Sequence, residues 1–330
     1  MLRYIIKRIA GGLMVLTIVT AVVFGVFFIL PADPARLACG KSCTPELISK
    51  IRHTLELDQP LPVQFGRFVK GVFVGRTYLK GTEAELDCSA PCLGYSYQTD
   101  ESVTSLIMNR LPATLSIAVG ASILWLLVGL FSGVISAIRR GTWIDKFSQS
   151  FSLAAASLQI YFVGLILQFI LVEKLQWLHA PGYISPFEDL KEWALSMALP
   201  WITLAFLLSS IYARLTRAGM IETMSEDYIR TARAKGLSPK VVDLKHVLRS
   251  VIPPLVTVFG IDLGTLLGGA VITEYVFNIP GLGKLSTEAV ANVDLPVIVG
   301  TVLFAAMFIV IANIIVDLVY MALDPKVRLK

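Results

Sequence analysis

Three carboxylates, Asp262, Glu274 and Asp317, fall inside long apolar runs of this chain. An ionisable group in hydrocarbon costs several kcal/mol unless it is paired or hydrated, so each is a candidate for compensating or moving a charge. Asp262 lies deepest. With Thr257 and Thr265 in the same run it could line a polar route, and Gln159, in another apolar run, is the second candidate for such a route. Glu274 and Asp317 stand nearer the ends of their runs and read as hydrated or helix-paired carboxylates at an interface. A stand-alone proton-coupled carrier would use the same three acids, although the inverted repeats many such carriers show are not visible.

Four cysteines supply the other chemistry. Cys39 and Cys43 stand at one end of residues 31–105, Cys88 and Cys92 near the other. The spacing fits either disulfides, with three possible connectivities, or a zinc site, though the intervening residues lack a knuckle pattern. Disulfides are the preferred reading, and they place this stretch in an oxidising compartment. The histidines, His53, His179 and His246, are scattered, so neither a shared metal site nor a catalytic triad is expected. Pro280-Gly281-Leu282-Gly283-Lys284-Leu285 resembles a phosphate loop only loosely. Asn278 stands where its first glycine should be, and no Ser or Thr follows the lysine. No nucleophile with a neighbouring base stands out, so an enzyme is not expected.

The elements that must position these groups follow from composition. Only 16% of the 330 residues are charged, against about a quarter in soluble chains, and the mean hydropathy is +0.71. Much of the solvent must be lipid. A span needs about 20 mainly apolar residues, and six windows qualify: 9–30, 111–138, 147–172, 195–212, 251–277 and 296–323. The first exceeds a signal-peptide core and lacks a cleavage pattern, so it is expected to stay as an anchor. The net charge of +5 is explained by Lys and Arg gathered at alternate ends of the spans, with no need for nucleic acid. Positive residues before the first span, at Arg139, Arg140 and Lys146, across 214–249, and at Lys326, Arg328 and Lys330 put both termini in the cytoplasm. Gly260, Gly264 and Gly268 recur at spacing four, as they would on a close helix–helix contact face.

Residues 214–249 hold eight cations and exceed what a turn between spans needs. Ser225, Glu226 and Asp227 read as a helix start, and Gly236 as its stop. Ser238-Pro239 opens a second helix with an apolar face from Val241 to Val251. The expected form is helix, glycine turn, helix, lying on the cytoplasmic face. Three readings fit: a headgroup anchor, a DNA-binding helix-turn-helix, which a tether between two spans disfavours, or a docking element for a cytoplasmic protein.

Tyr228-Ile229-Arg230-Thr231-Ala232-Arg233-Ala234-Lys235-Gly236-Leu237-Ser238 resembles the EAA loop of ABC-importer permease subunits, in the variant of the oligopeptide and dipeptide branch. Ile272 to Gly283 is similar to that branch's E-x-x-F-x-x-P-G-L-G signature, Asp324 to Arg328 to its D-P-R-x-R tail, and Leu57 to Pro62 to a segment after its first span. The resemblance covers nearly the whole chain. It implies an all-α membrane protein of six transmembrane helices with the type I ABC importer transmembrane fold. Residues 1–330 would form one permease domain, 31–105 an extracytoplasmic insertion and 214–249 the coupling loop.

The same resemblance implies a peptide importer subunit in the cell membrane, paired with a second homologous permease, two ATPase subunits and an extracytoplasmic binding protein. ATP and Mg would sit on the ATPases, and this chain would bind no cofactor. Coupling would fall to Tyr228, Arg230, Thr231, Ala232, Ala234, Lys235, Gly236 and Leu237. Nickel and glutathione permeases belong to the same branch, so either could be the cargo. Two features depart from the pattern: Asp262 stands where an uncharged polar residue is expected, and the cysteine-bearing stretches look peculiar to a subset.

Overall fold

The computed structural model describes residues 2–29, 44–54, 58–78, 86–96 and 98–323. Cys39, Cys43 and the Asp324 to Arg328 tail lie outside them. In chain order the elements are α1 (Leu2–Ile29), α2 (Pro45–Thr54), α3 (Leu61–Val74), strands β1 (Arg76–Tyr78), β2 (Leu86–Cys88), β3 (Tyr95–Ser96) and β4 (Glu101–Ser102), then α4 (Val103–Ile138) and α5 (Trp143–Ser157). They continue with α6 (Ile160–Lys174), α7 (Leu190–Met224), α8 (Asp227–Ala234), α9 (Pro239–Leu267), α10 (Val271–Val276), α11 (Leu282–Ala291) and α12 (Leu295–Leu323). Five helices (α1, α4, α7, α9 and α12) are long and apolar enough to span a membrane, and a sixth span exists if α5 and α6 count together.

Two expected spans are corrected. Over residues 147–172 the chain is not one helix: α5 and α6 are bent by 102°, with Leu158 and Gln159 in extended backbone. Over 251–277 the helix stops at Leu267. Gly268 caps it and Gly269, at φ +130°, turns the chain in a region open to glycine, so α10 starts afresh. Gly268 is therefore a helix end, while Gly260 does mark a close contact: a Cβ there would lie 1.8 Å from Val316 Cγ2. Gly264 is buried on the same helix.

Over 214–249 the expected helix, glycine turn and helix are present as α8, Gly236 and the start of α9 at Pro239, but the bounds of the loop differ from expectation. α7 runs on to Met224 and the second helix is the start of α9, continuous through a π turn at Val242–Val247. Only residues 225–238 lie between the two long helices, apart from α8 within them. Ser225 closes α7, bonding Glu222 O at 2.6 Å, and Glu226 is the N-cap of α8.

Contacts divide the chain into two units, Ala113–Pro280 with Ile311–Lys330 and Met1–Pro112 with Gly281–Val310. In the first, α4 and α7 approach through glycines. A Cβ on Gly120 would meet the Trp201 ring at 2.0 Å, on Gly129 Tyr212 Cβ at 2.5 Å, and on Gly133 the Ala213 carbonyl at 2.7 Å. Where lipid removes the hydrophobic drive between helices, such close packing by small residues replaces it. Glu274, at the start of α10, is fully enclosed. Its Oε1 accepts from Thr114 Oγ1 at 2.8 Å and from the Ala270 N–H at 3.2 Å, so it ties α10 to α4, the helix-paired form of the two expected.

The second unit carries small structure that hydropathy windows do not reveal. Phe24 of α1 meets Phe65 of α3 edge-on at 5.6 Å. Antiparallel ribbons pair β1 with β2, Thr77 opposite Asp87, and β3 with β4, Tyr95 opposite Ser102. Cys88 and Cys92 form a disulfide, their Cα atoms 5.5 Å apart. Gly281 caps α11 and Lys284 pairs with Glu288 at 4.0 Å, so the loose phosphate-loop match is an ordinary helix start. The β3–β4 ribbon is latched by Ser96, whose hydroxyl donates to Asp294 Oδ2, while Oδ1 is buried without a partner.

Two outcomes follow from this packing. Gly133→Val should cost about 1–3 kcal/mol through overpacking, read as a lower thermal midpoint of the detergent-solubilised chain. Gly66→Ala, with open space around it, should not lower that midpoint. Burial raises the Asp294 carboxyl above the ordinary range, opposed in part by the Ser96 hydroxyl and the Val297 amide. A folded-state value above the unfolded one means the latch contributes fully below the unfolded value and is lost as pH rises through the folded one. The stability difference between Asp294→Asn, which keeps a capping side chain without the ionisation, and wild type should therefore shift toward Asn as pH rises through that range. A pH-independent difference in thermal midpoint would contradict it.

Candidate functional site

The short helix α8 is the element to which the sequence assigned coupling. Ile229 is its buried anchor, in a cluster with Met220, Val242, Val247 and Val251, and Ala232 packs partly against the same cluster. Tyr228 reaches Ser250, hydroxyl to hydroxyl, at 3.0 Å, and Arg233 pairs with the largely buried Asp243 at 3.7 Å. The exposed pair of Arg230 with Asp227 at 3.4 Å adds little.

The end of α8 is tightly defined. Gly236 N–H bonds Arg233 O at 2.9 Å and Leu237 N–H bonds Ala232 O at 3.4 Å, with Gly236 at φ +79°. These are the two bonds of a Schellman stop, which needs a left-handed residue at that position. Tyr228, Arg230, Thr231, Ala234, Lys235, Gly236 and Leu237 are exposed, so one apolar face holds the helix to the chain while most of its surface is available to a partner.

Near this segment three helices are clamped by one carboxylate. Asp145, at the start of α5, is 3% exposed and receives Arg217 of α7 in two bonds, Nε to Oδ1 at 2.7 Å and Nη2 to Oδ2 at 2.9 Å. Ser136 of α4 donates to Oδ1 at 2.6 Å, the Gly141 N–H to Oδ2 at 2.9 Å, and Gln149 to Oδ1 at 3.2 Å. Sequence reasoning passed over this site, although Asp145 is the one acid in the basic turn from Arg139 to Lys146.

Asp262 is half-buried on α9, and Tyr212 of α7 donates its hydroxyl to Oδ2 at 2.8 Å. Tyr212 is fully buried in the space Gly129 leaves and lies 6.4 Å from Trp125, which in turn lies 6.1 Å from Phe259. Gln159 is exposed at the bend between α5 and α6, where it caps α6 without a side-chain bond. No hydrogen bond or ion pair among the described residues joins it to Asp262. Thr265, three residues on from Asp262, lies exposed beside it, and Thr257 lies exposed a turn and a half earlier on the helix. Asp317, on α12, is half-buried.

Residues 1–118 match the N-terminal family of binding-protein-dependent transport system membrane components, and residues 126–329 match the binding-protein-dependent transport system inner membrane component family. The chain is 34% identical over 325 residues, 98% of its length and 99% of the relative's, to a protein of Sinorhizobium fredii named as a probable peptide ABC transporter permease. It is 36% identical over 331 residues, all of both chains, to a glutathione transport system permease of Pectobacterium atrosepticum. Among solved structures, a chain of the MetNI methionine ABC transporter in an inward-facing conformation superposes with a TM-score of 0.51 at 17% identity, covering 67% of this chain and 97% of that one. The fold is that of a type I ABC importer transmembrane subunit.

The clamp yields a direct test. Removing one partner of a buried ion pair costs about 3–5 kcal/mol, and less here because Arg217 keeps a fifth of its side chain in solvent. Asp145→Asn and Arg217→Gln should each lower the thermal midpoint, and the double variant should lose less than their sum. Additive losses would show that the two side chains act independently.

Proposed function

We propose, because this chain belongs to the binding-protein-dependent transport system inner membrane component family, that it is the permease subunit of an ATP-driven peptide importer and forms half of the translocation path. The observation that carries this reading is the end-to-end correspondence with peptide permeases, reinforced by a short, stopped helix presented for docking. Glutathione, itself a tripeptide, is the second reading, favoured by the equally complete match to a glutathione permease. In both, this chain hydrolyses nothing. ATP and Mg are held by two partner ATPase subunits, and a second homologous permease completes the path.

Both termini lie in the cytoplasm, as the distribution of Lys and Arg directs, in a multi-pass protein of the cell membrane. The insertion over residues 31–105 then faces outward, where a disulfide such as Cys88–Cys92 persists and a cargo-loaded binding protein docks. The coupling loop over 214–249 faces inward. α8 sits in a groove of one ATPase, with Tyr228, Arg230, Thr231, Ala234, Lys235, Gly236 and Leu237 at the contact and Ala232 against the chain's own core. Closure of the ATPase pair pushes on α8, and a helix held at Ile229, Arg233 and Tyr228 passes the displacement to α7 and α9. Asp262 and Gln159 line the path.

Purification from the native membrane should bring down two ATPases and a second permease, and the complex should take up peptides when supplied with its binding protein. A lone chain catalysing uptake would overturn the assignment. Within the complex, Gly236→Val should abolish transport while the chain still inserts. A Cβ there meets nothing within 4 Å, so the damage is confined to the positive-φ turn, which a β-branched residue resists. Full transport in that variant would remove α8 from the coupling role.

A further inference from the structure

We propose that Asp262 is the receptor for the cationic amine of the cargo as it passes this chain, with Thr265, one turn on, supplying an acceptor oxygen beside it. The inference rests on the peptide reading and on the place of Asp262 in the path, and adds the chemical group that is recognised.

Among the described residues no cation compensates Asp262: its one described bond comes from the neutral Tyr212 hydroxyl, and no Lys, Arg or His pairs with it. A carboxylate within a span must be paired or hydrated, and the half-buried Asp262 is open to a cation from outside the described chain. α4 presents Val119, Ile123, Leu127 and Phe131, a surface suited to lipid, whereas α9 places the exposed Thr265 three residues from Asp262, on the adjoining side of the helix.

The polarity beside Asp262 has a sign. Thr265 donates its hydroxyl hydrogen to Ile261 O at 2.8 Å. With that hydrogen spent on the helix's own carbonyl, the threonine offers lone pairs only. The carboxylate likewise only accepts. The pair thus presents acceptors without a donor, which suits an ammonium with three N–H groups and repels a carboxylate. Tyr212 is a positioning residue here: wedged beside Gly129 and near Trp125, it fixes Oδ2, and no described residue bonds Oδ1.

The test is uptake of trialanine and of N-acetyl-trialanine by the complete importer in proteoliposomes, for wild type, Asp262→Asn, Asp262→Glu and Tyr212→Phe. A hydrogen bond to a charged group sets the scale at about tenfold or more. Asp262→Asn should therefore cut trialanine uptake at least about tenfold while still copurifying with its partners. Asp262→Glu should restore most of it, and Tyr212→Phe, which keeps the charge, should fall less. Trialanine uptake by Asp262→Asn at the wild-type rate overturns the proposal. So does loss of the partner permease from that variant, which would make Asp262 a subunit contact, or a fall in Tyr212→Phe as deep as in Asp262→Asn, which would make the pair a strut. A wild-type importer that moves neither tripeptide refutes the peptide reading first, and the amine receptor falls with it.

Discussion

The close approach of α4 and α7 is the constraint on which the first unit, residues 113–280 with 311–330, depends. It exists because Gly120, Gly129 and Gly133 put no side chain between the helices, so that the Trp201 ring, the Tyr212 side chain and the backbone at Ala213 fill the space. Lipid tails are as apolar as leucine, so the gain comes from contact and from hydrogen bonds that approach permits. Two polar contacts then come within reach. Tyr212, seated against Gly129, extends its hydroxyl to Asp262 on α9, and Arg217, about a turn and a half further along α7, meets Asp145. A larger residue at the glycines would disturb the packing and both polar ties together.

The same arrangement gives α8 a firm base. A helix of eight residues has little stability alone, and this one is held by Ile229 in the apolar cluster, by Arg233 on Asp243 and by Tyr228 on Ser250. All three holds reach onto α9, whose first turns belong to the same cluster. Because α7 and α9 are themselves joined through Tyr212 and Asp262, a push on α8 is delivered to a packed pair of spans. The Schellman stop at Gly236 adds direction, turning the chain at once into Ser238 and Pro239 at the head of α9.

How much of this was legible follows from what each signal measures. Apolar windows reveal composition, and they found the spans. They carry no direction, and so they missed the 102° bend at Leu158 and Gln159, where neither glycine nor proline interrupts the sequence. The stop at Gly236 was readable because a left-handed turn restricts the residue type locally. Gly260 was found through its regular spacing with Gly264, and the same regularity ran on to Gly268, where the helix ends. Glu274 could not be placed from sequence because its partner, Thr114, is 160 residues away. The ribbons at 76–102 were invisible because strands of two or three residues carry no periodicity.

Asp145, Glu274 and Asp262, all in the first unit, show how the protein distributes its charges. Asp145 is matched by a guanidinium and three further donors, an arrangement that fixes three helices and leaves nothing for a passing group. Glu274 is sealed from solvent and accepts from a threonine and a backbone amide, which anchors α10. Asp262 alone of these receives a single donor, the neutral Tyr212 hydroxyl, and stands half-open beside Thr265, whose hydroxyl hydrogen is spent on Ile261 O. A charge left short of partners is unfavourable in the resting chain. Its cost is offset when a cation arrives, and because the offset ends when the cation leaves, such a site can hold a cargo briefly without trapping it.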